Sequence, residues 1–161
     1  MNHFLIRTGA DMDMLNLGCG NKPIDGAVNH DRIKHRKFVD IAWDLNEMPW
    51  PWEDESFDVI VAHAVFEHLI PDLVQTLNEC WRILRPGGKV RLKLPLWNSD
   101  ISRRDPTHRW FFSTGSLDQF DPDTKRGREY TFYTTRKWKV IKPLKVNNAR
   151  SSFYAVMEKR V

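Results

Sequence analysis

A short apolar run that ends in a glycine turn is the first feature of this chain that could hold a ligand. Residues 15–23 read LNLGCGNKP, and the turn contains Gly18 and Gly20. Such a turn lets the backbone approach a nucleotide closely. A dinucleotide fingerprint needs a third glycine where Pro23 stands, and a P-loop needs Gly-Lys-Ser/Thr, which this turn lacks. Both nucleotide sites are therefore disfavoured.

Two aspartates extend the candidate site. Asp31 ends a second predicted strand, and Asp44 follows a third. The two oxygens of a carboxylate can accept hydrogen bonds from a vicinal diol, and ligands of open α/β sheets bind at the carboxyl ends of parallel strands. S-adenosylmethionine has no phosphates, so it needs no phosphate cradle. It needs close backbone approach, a carboxylate for its ribose and an acceptor for its adenine amine, which makes it a third candidate ligand.

The segment DPTHRWFF, residues 105–112, is the best candidate for chemistry on a second substrate. If the ligand is S-adenosylmethionine, transfer of its methyl group would be a displacement at an electrophilic carbon, so positioning would dominate and a base would be needed only for a protonated nucleophile. His108 could be that base, while Asp105 or Arg109 orients the substrate. In the structural alternative, Asp105 starts a turn at Pro106 and His108 bonds to the backbone.

We expect no metal site and no redox centre. The pairs His30/His35 and His63/His68 are each five residues apart, whereas metal-binding pairs on a helix favour a spacing of four. Two cysteines, Cys19 and Cys80, are too few for a disulfide framework.

The elements that would position these residues form an α/β pattern. A helix is predicted from the apolar stripe that begins at Leu73 and ends before the RPGG turn at residues 85–88. The predicted strands are residues 14–17, 28–31, 38–42, 57–63, 89–95, 138–146 and 152–159, with a brief helix at 116–120. We predict a Rossmann-like, mostly parallel sheet with an antiparallel C-terminal strand pair and abbreviated N-terminal helices.

One face of this sheet is predicted to be open. The strand KVRLKLP alternates charged and apolar residues, unlike a strand covered on both faces. Residues 18–26 also leave little room for a helix between the first two strands, since parallel crossovers normally take a dozen residues or more. We expect an open, abbreviated core, and a homodimer is one way to cover it.

The bulk properties fit a single globular domain over residues 1–161. The net charge is +4, which permits an anionic partner without requiring one. The basic stretches at 125–128 and 136–139 are interpreted as solvated surface. No apolar run approaches the roughly 18 residues of a membrane span, and we expect a cytoplasmic protein with no membrane partner.

The ordered strings LNLGCG, VNHD, DL, FDVIVAHAVFEHL and LRPGGKVRLKLP together resemble the small, type-11-like class I S-adenosylmethionine-dependent methyltransferases. The resemblance implies the cofactor S-adenosyl-L-methionine and a role for each matched position. Gly18 and Gly20 would form the turn against the methionine part, which Ala62 and His63 border. Asp31 would hold the ribose, and Asp44 with the backbone of Leu45 would meet the adenine. Asn16 stands where the family usually has an acidic residue.

The implied function is methyl transfer to a small-molecule acceptor that the sequence does not identify. One alternative is a non-catalytic regulator or partner subunit that binds S-adenosylmethionine. A nucleic-acid methyltransferase is less indicated, because enzymes acting on base amines typically carry Asn/Asp-Pro-Pro-aromatic after the fourth strand. This chain has AHAVFEH there.

Overall fold

A computed structural model describes residues 12–161 as one seven-stranded sheet with short helices. The strands are β1 (Met14–Leu17), β2 (Val28–Asp31), β3 (Ile41–Ala42), β4 (Phe57–His63), β5 (Leu84–Pro95), β6 (Trp138–Val146) and β7 (Ser152–Lys159). The helices are α1 (Leu73–Ile83), α2 (Asp100–Arg104) and α3 (Lys125–Glu129), and 3-10 turns lie at Phe66–His68 and Asp118–Phe120.

The strand order across the sheet is β3-β2-β1-β4-β5-β7-β6. The first five strands pair in parallel, and β7 is antiparallel to both β5 and β6. The predicted fold class is confirmed. The chain leaves β1 toward β2 on one side, and β4 lies on the other side. The crevice at the carboxyl ends of β1 and β4 is therefore the switch point where open α/β sheets bind ligands.

One face of the sheet carries the core. Leu15, Ile60, Val90, Met157 and Val140 are paired across five strands and are all at most 5% exposed. This continuous apolar row fixes the strand register, because a slip of one residue would turn every member outward.

Helix α1 covers this face. The Asp72 side chain accepts from the Gln75 backbone, and the Gln75 side chain accepts from the Asp72 backbone, so the helix begins with a capping box. Its inward side chains Leu77, Cys80 and Ile83 are fully buried. The predicted helix is confirmed.

The opposite face is open over β5, β7 and β6. Arg91, Val156 and Ile141 are paired in register, and Arg91 and Ile141 are exposed. We call these three positions and their neighbours on the same strands the open face. The alternation along β5 predicted this exposure correctly.

Several boundaries differ from prediction. β3 has only two residues, because residues 38–40 form no strand pairing. β5 begins at Leu84, which pairs with Phe57, so the RPGG segment joins the strand. Helices α2 and α3 were not predicted; each has five residues and starts at a capping side chain, Ser99 or Thr124. Residues 18–27 form turns without a helix, as expected.

Among residues 12–161, no helix is long and apolar enough to cross a membrane.

Candidate functional site

The glycine turn follows β1 and presents two glycines in different surroundings. Both have positive φ, +59° at Gly18 and +53° at Gly20, a region that side chains disfavour. A Cβ atom on Gly18 would lie 2.6 Å from Cγ2 of Val65, whereas a Cβ on Gly20 would meet no described atom within 4 Å. The first glycine therefore packs closely against the loop after β4, and the second borders open space.

Asp31 lies directly beside this turn. Its Oδ2 accepts from the backbone N–H of Gly20 at 2.7 Å, and its Oδ1 accepts from that of Arg32 at 2.7 Å. The carboxylate is half-buried. A carboxylate can accept about four hydrogen bonds, so Asp31 keeps acceptor capacity for a ligand while it holds the turn.

Asp44 lies beyond β3, which is the neighbour of β2. Its Oδ1 accepts from the Asn46 backbone at 3.0 Å, and its Oδ2 lies 3.2 Å from Nε of Arg32. The Arg32 side chain is 75% exposed, so this ion pair adds little rigidity. Asp31 ends β2 and Asp44 follows the adjacent strand β3, so the two sequence-predicted carboxylates lie beyond the same ends of neighbouring strands.

His30 connects these parts, and the sequence analysis missed this role. Its Nδ1 accepts from the Gly18 backbone N–H at 3.3 Å, which places the ring proton on Nε2, where it donates to the Trp43 carbonyl at 2.9 Å. The ring is buried, and burial lowers the pKa of His30. Two adjacent polar residues, Asn29 and His30, inside a predicted strand were the available signal, because buried polar side chains need hydrogen-bond partners.

Asn16 lies beneath the turn. Its amide Nδ2 donates to the Lys22 carbonyl at 3.0 Å and to Oδ1 of Asn29 at 2.9 Å. The residue is 5% exposed. Both amide hydrogens thus hold the short crossover between β1 and β2 in place.

The remaining predicted cofactor residues flank the crevice. Leu45 and Ala62 are buried, and His63 is exposed at the end of β4. Partial burial, followed by the charges of Lys93 and Lys22, lowers the pKa of His63. The ring is therefore biased toward its neutral form.

The segment after α2 crosses the carboxyl ends of β4 and β5. The Arg109 backbone donates to the Glu67 carbonyl at 2.7 Å, and Leu96 pairs with Phe112 as an isolated bridge. The predicted catalytic residues therefore lie next to the loop that follows β4. Arg109 is exposed.

Within that segment, Asp105 and His108 make the contacts that a purely structural role would require. Asp105 Oδ1 accepts from the Thr107 backbone at 2.9 Å, and His108 Nδ1 lies 3.0 Å from the Ser102 carbonyl. His108 Nε2 is 3.9 Å from Asp105 Oδ2. These contacts hold the segment in shape and leave a catalytic role for either residue as a prediction.

Glu67 is a charged side chain that the sequence analysis did not single out. It is 1% exposed, and its Oε2 has no hydrogen-bond partner among the described residues. Burial raises the pKa of Glu67 to about 7. The rings of His68 and His108 lie beside it, with centroids 4.6 Å apart. The closely spaced histidine pairs of the sequence do not include the pair of His68 and His108, because these two residues are forty positions apart.

Comparison with known proteins finds similarity to methyltransferases in the central part of the chain. Residues 24–92 match a family described as "Methyltransferase domain". A Mycolicibacterium smegmatis protein named "Probable S-adenosylmethionine-dependent methyltransferase" is 42% identical over 72 residues, which is 44% of this chain and 26% of that protein. The chain spans 24–32% of the length of the curated relatives that it matches.

Solved structures share the fold at low sequence identity. The Haemonchus contortus phosphoethanolamine N-methyltransferase 1, solved with S-adenosylhomocysteine, has a TM-score of 0.63 and 13% identity, covering 93% of this chain and 39% of that one. The [4+2]-cyclase SpnF has a TM-score of 0.59 and 10% identity, covering 93% of this chain and 75% of that one. Residues 24–92 thus match a methyltransferase domain in sequence, and the described chain has the fold of solved S-adenosylmethionine-dependent methyltransferases.

Proposed function

We propose that this protein binds S-adenosylmethionine at the carboxyl ends of β1–β4 and transfers its methyl group to a small-molecule acceptor. The observation that carries the proposal is the hydrogen bond between the Gly20 backbone and Asp31 at the switch point of the sheet. This hydrogen bond connects two parts of a site. One is a turn that allows close approach of the backbone to a ligand, and the other is a carboxylate suited to a ribose diol.

The side chains fit the parts of this cofactor. The open space at Gly20 accepts the methionine part, bordered by Ala62 and His63. Asp31 accepts from the ribose hydroxyls, and Asp44 with the backbone of Leu45 meets the adenine. Asn16 contributes indirectly to binding, because its side-chain amide holds the glycine turn in place from beneath. The bound cofactor supplies an electrophilic methyl group.

The acceptor side is assigned to the segment around residues 105–112. Because Nδ1 of His108 faces the Ser102 carbonyl, that nitrogen carries the proton, and Nε2 is the atom that could accept one from a nucleophile. Arg109 is exposed and could orient an anionic group, with Asp105 fixing the segment. Trp110 and Phe111 line a neighbouring cleft of about 560 Å³, large enough for a small molecule.

A non-catalytic protein that binds the same cofactor is the second candidate. Asn16 supports it, because it stands where the resembled family usually has an acidic residue. The solved [4+2]-cyclase with this fold adds only that the fold alone does not fix the reaction. A nucleic-acid acceptor has less support, since no described feature resembles a recognition module.

We also propose a cytoplasmic location and self-association across the open face. Both cysteines are buried free thiols, which suits a reducing compartment. The exposed Ile141 beside Val156 offers apolar surface to a second copy.

Transfer of a labelled methyl group tests the function. The purified protein is incubated with methyl-labelled S-adenosylmethionine and a fractionated small-molecule extract. We expect a labelled small product whose formation is inhibited by S-adenosylhomocysteine. Binding of the cofactor without any labelled product would favour the non-catalytic alternative, and the absence of both would reject the proposal.

A further inference from the structure

We propose that Glu67, His68 and His108 form a binding site for a divalent transition-metal ion of the zinc type. One potential ligand atom from each residue lies within 4.8 Å of the other two. We call this group the Glu67–His68–His108 cluster. Two members come from the 3-10 turn after β4, and the third comes from the segment after α2.

The hydrogen bonds of the two histidines engage Nδ1 and leave Nε2 of each ring available for a metal. The Thr107 hydroxyl donates to Asp105 Oδ1 at 2.7 Å, so its oxygen accepts from Nδ1–H of His68 at 2.8 Å. His108 donates from Nδ1 to the Ser102 carbonyl at 3.0 Å. Both rings therefore carry their proton on Nδ1 and keep a lone pair on Nε2.

This arrangement is the one that metal-binding histidines usually have. A ligating histidine almost always donates its other N–H to a carbonyl, carboxylate or similar acceptor, which fixes the tautomer and the ring orientation. Here one histidine uses a backbone carbonyl, and the other uses a hydroxyl that is itself bonded to a carboxylate. Each ring is therefore held for coordination before an ion arrives.

Glu67 supplies an independent observation that points to a cation. Its side chain is 1% exposed, and within residues 12–161 its Oε2 has no hydrogen-bond partner. A buried carboxylate oxygen without a partner is destabilising unless it meets a positive charge or the group loses its own charge. A metal ion held by the two neighbouring rings would provide that charge.

The ligand set selects the kind of metal. Two imidazoles and one carboxylate suit zinc and its transition-metal neighbours, whereas calcium and magnesium prefer oxygen ligands. Three protein ligands leave a fourth position for water. Because ligand atoms on one tetrahedral zinc ion are about 3.3 Å apart, given bonds of about 2.0–2.1 Å, small side-chain rotations must draw the cluster together.

A bound ion would clamp the turn after β4 to the segment that crosses β5. It would also occupy the Nε2 lone pair of His108, so that atom is a base only in the metal-free protein and a ligand in the metal-bound one. This claim does not depend on methyl transfer, and it is tested without an activity measurement.

Zinc titration of the tag-free protein against a chromophoric chelator is the first test. We expect one equivalent to bind. Glu67→Gln and His108→Gln should each abolish this binding, and Thr107→Val should weaken it by about 10- to 100-fold, the usual effect of losing an outer partner of a ligand. His35→Gln, which changes a histidine outside the cluster, should bind as the original protein does.

Cobalt substitution gives a second readout on the unmodified protein. We expect visible absorption bands of a four-coordinate ion, displaced by one equivalent of zinc. The proposal is overturned if folded protein binds no zinc, if Glu67→Gln and His108→Gln bind as tightly as the original, or if cobalt shows only a six-coordinate spectrum. If the Glu67 or His108 variant does not fold, the proposal is judged from Thr107→Val, which changes a solvent-exposed side chain, and from the cobalt spectrum of the unmodified protein. Calorimetry with S-adenosylhomocysteine on the same sample separates this outcome from failure of the proposed function.

Discussion

His30 shows how a single side chain can hold three parts of a binding edge together. Its ring contacts the Gly18 backbone on one side and the Trp43 carbonyl on the other. The second contact lies one residue before Asp44. The neutral ring thereby fixes the spacing between the glycine turn and the predicted adenine end of the site.

Stability should fall in acid partly because of His30. Burial lowers the pKa of His30 in the folded protein, while in the unfolded chain the ring titrates near about 6.5. Below that pH the unfolded state binds more protons than the folded state, so the free energy of unfolding decreases as pH falls. Urea unfolding between about pH 5 and 8 should show this loss.

The matched variant is His30→Gln, which keeps one donor and one acceptor. It should flatten the acid limb of the stability profile. His63 and His68 also have lowered pKa values, so only the difference between the two profiles reports on His30. Superimposable profiles would contradict the assignment.

The two glycines of the turn should respond differently to alanine. Both substitutions place a Cβ at positive φ, which costs about 1 kcal/mol. Gly18→Ala also forces a contact with Val65, which should add about 1–3 kcal/mol. Gly20→Ala should leave stability closer to the original but weaken binding of S-adenosylhomocysteine, because its methyl group enters the crevice. Equal losses of stability, measured by denaturant unfolding, would argue against this packing.

At the scale of elements, strands were easier to predict than short helices. β4 is a nearly continuous apolar run, and β5 alternates charged and apolar residues over 89–94, so their patterns determine the element type. Helices α2 and α3 have five residues each, too few for a periodic pattern. They depend on caps and on contacts with the rest of the fold. Likewise, the meeting of Glu67 with His108 is a tertiary contact that residue spacing does not reveal.

Helix α1 is tied to the loop before β4 through Arg82. Its guanidinium donates to the Trp52 carbonyl at 2.7 Å, the Trp50 carbonyl at 3.1 Å and Glu79 at 2.9 Å, and its side chain is 17% exposed. Arg82→Ala leaves these acceptors unpaired and should cost roughly 2–3 kcal/mol of unfolding free energy.

Arg104→Ala is the control for this effect. That side chain is 69% exposed, and its ion pair within residues 12–161 is the exposed one with Asp100 at 3.4 Å, so the change should stay within about 0.5 kcal/mol. Chemical denaturation of both variants gives the comparison. A loss for Arg82→Ala no larger than that of the control would remove Arg82 from this stabilising role.

For the whole molecule, the open face is the main surface without cover from the described elements. Arg91 and Ile141 are exposed on it. If two copies associate there, sedimentation velocity should show a dimer that forms as concentration rises, and Ile141→Glu should shift it toward monomer. A monomer at every concentration, or a dimer unaffected by this change, would contradict the proposed interface.

Calorimetric titration with S-adenosylhomocysteine is the decisive test of whether Gly20, Asp31 and Asp44 form the cofactor site. We expect binding at one site, weakened by Asp31→Ala by roughly 1.5–3 kcal/mol, or about 10- to 150-fold, since hydrogen bonds to a charged group are lost. Asp25→Ala, which changes an exposed aspartate in the crossover, should leave the affinity unchanged. No heat from the folded protein, or equal affinity for Asp31→Ala, would show that the cofactor does not bind there.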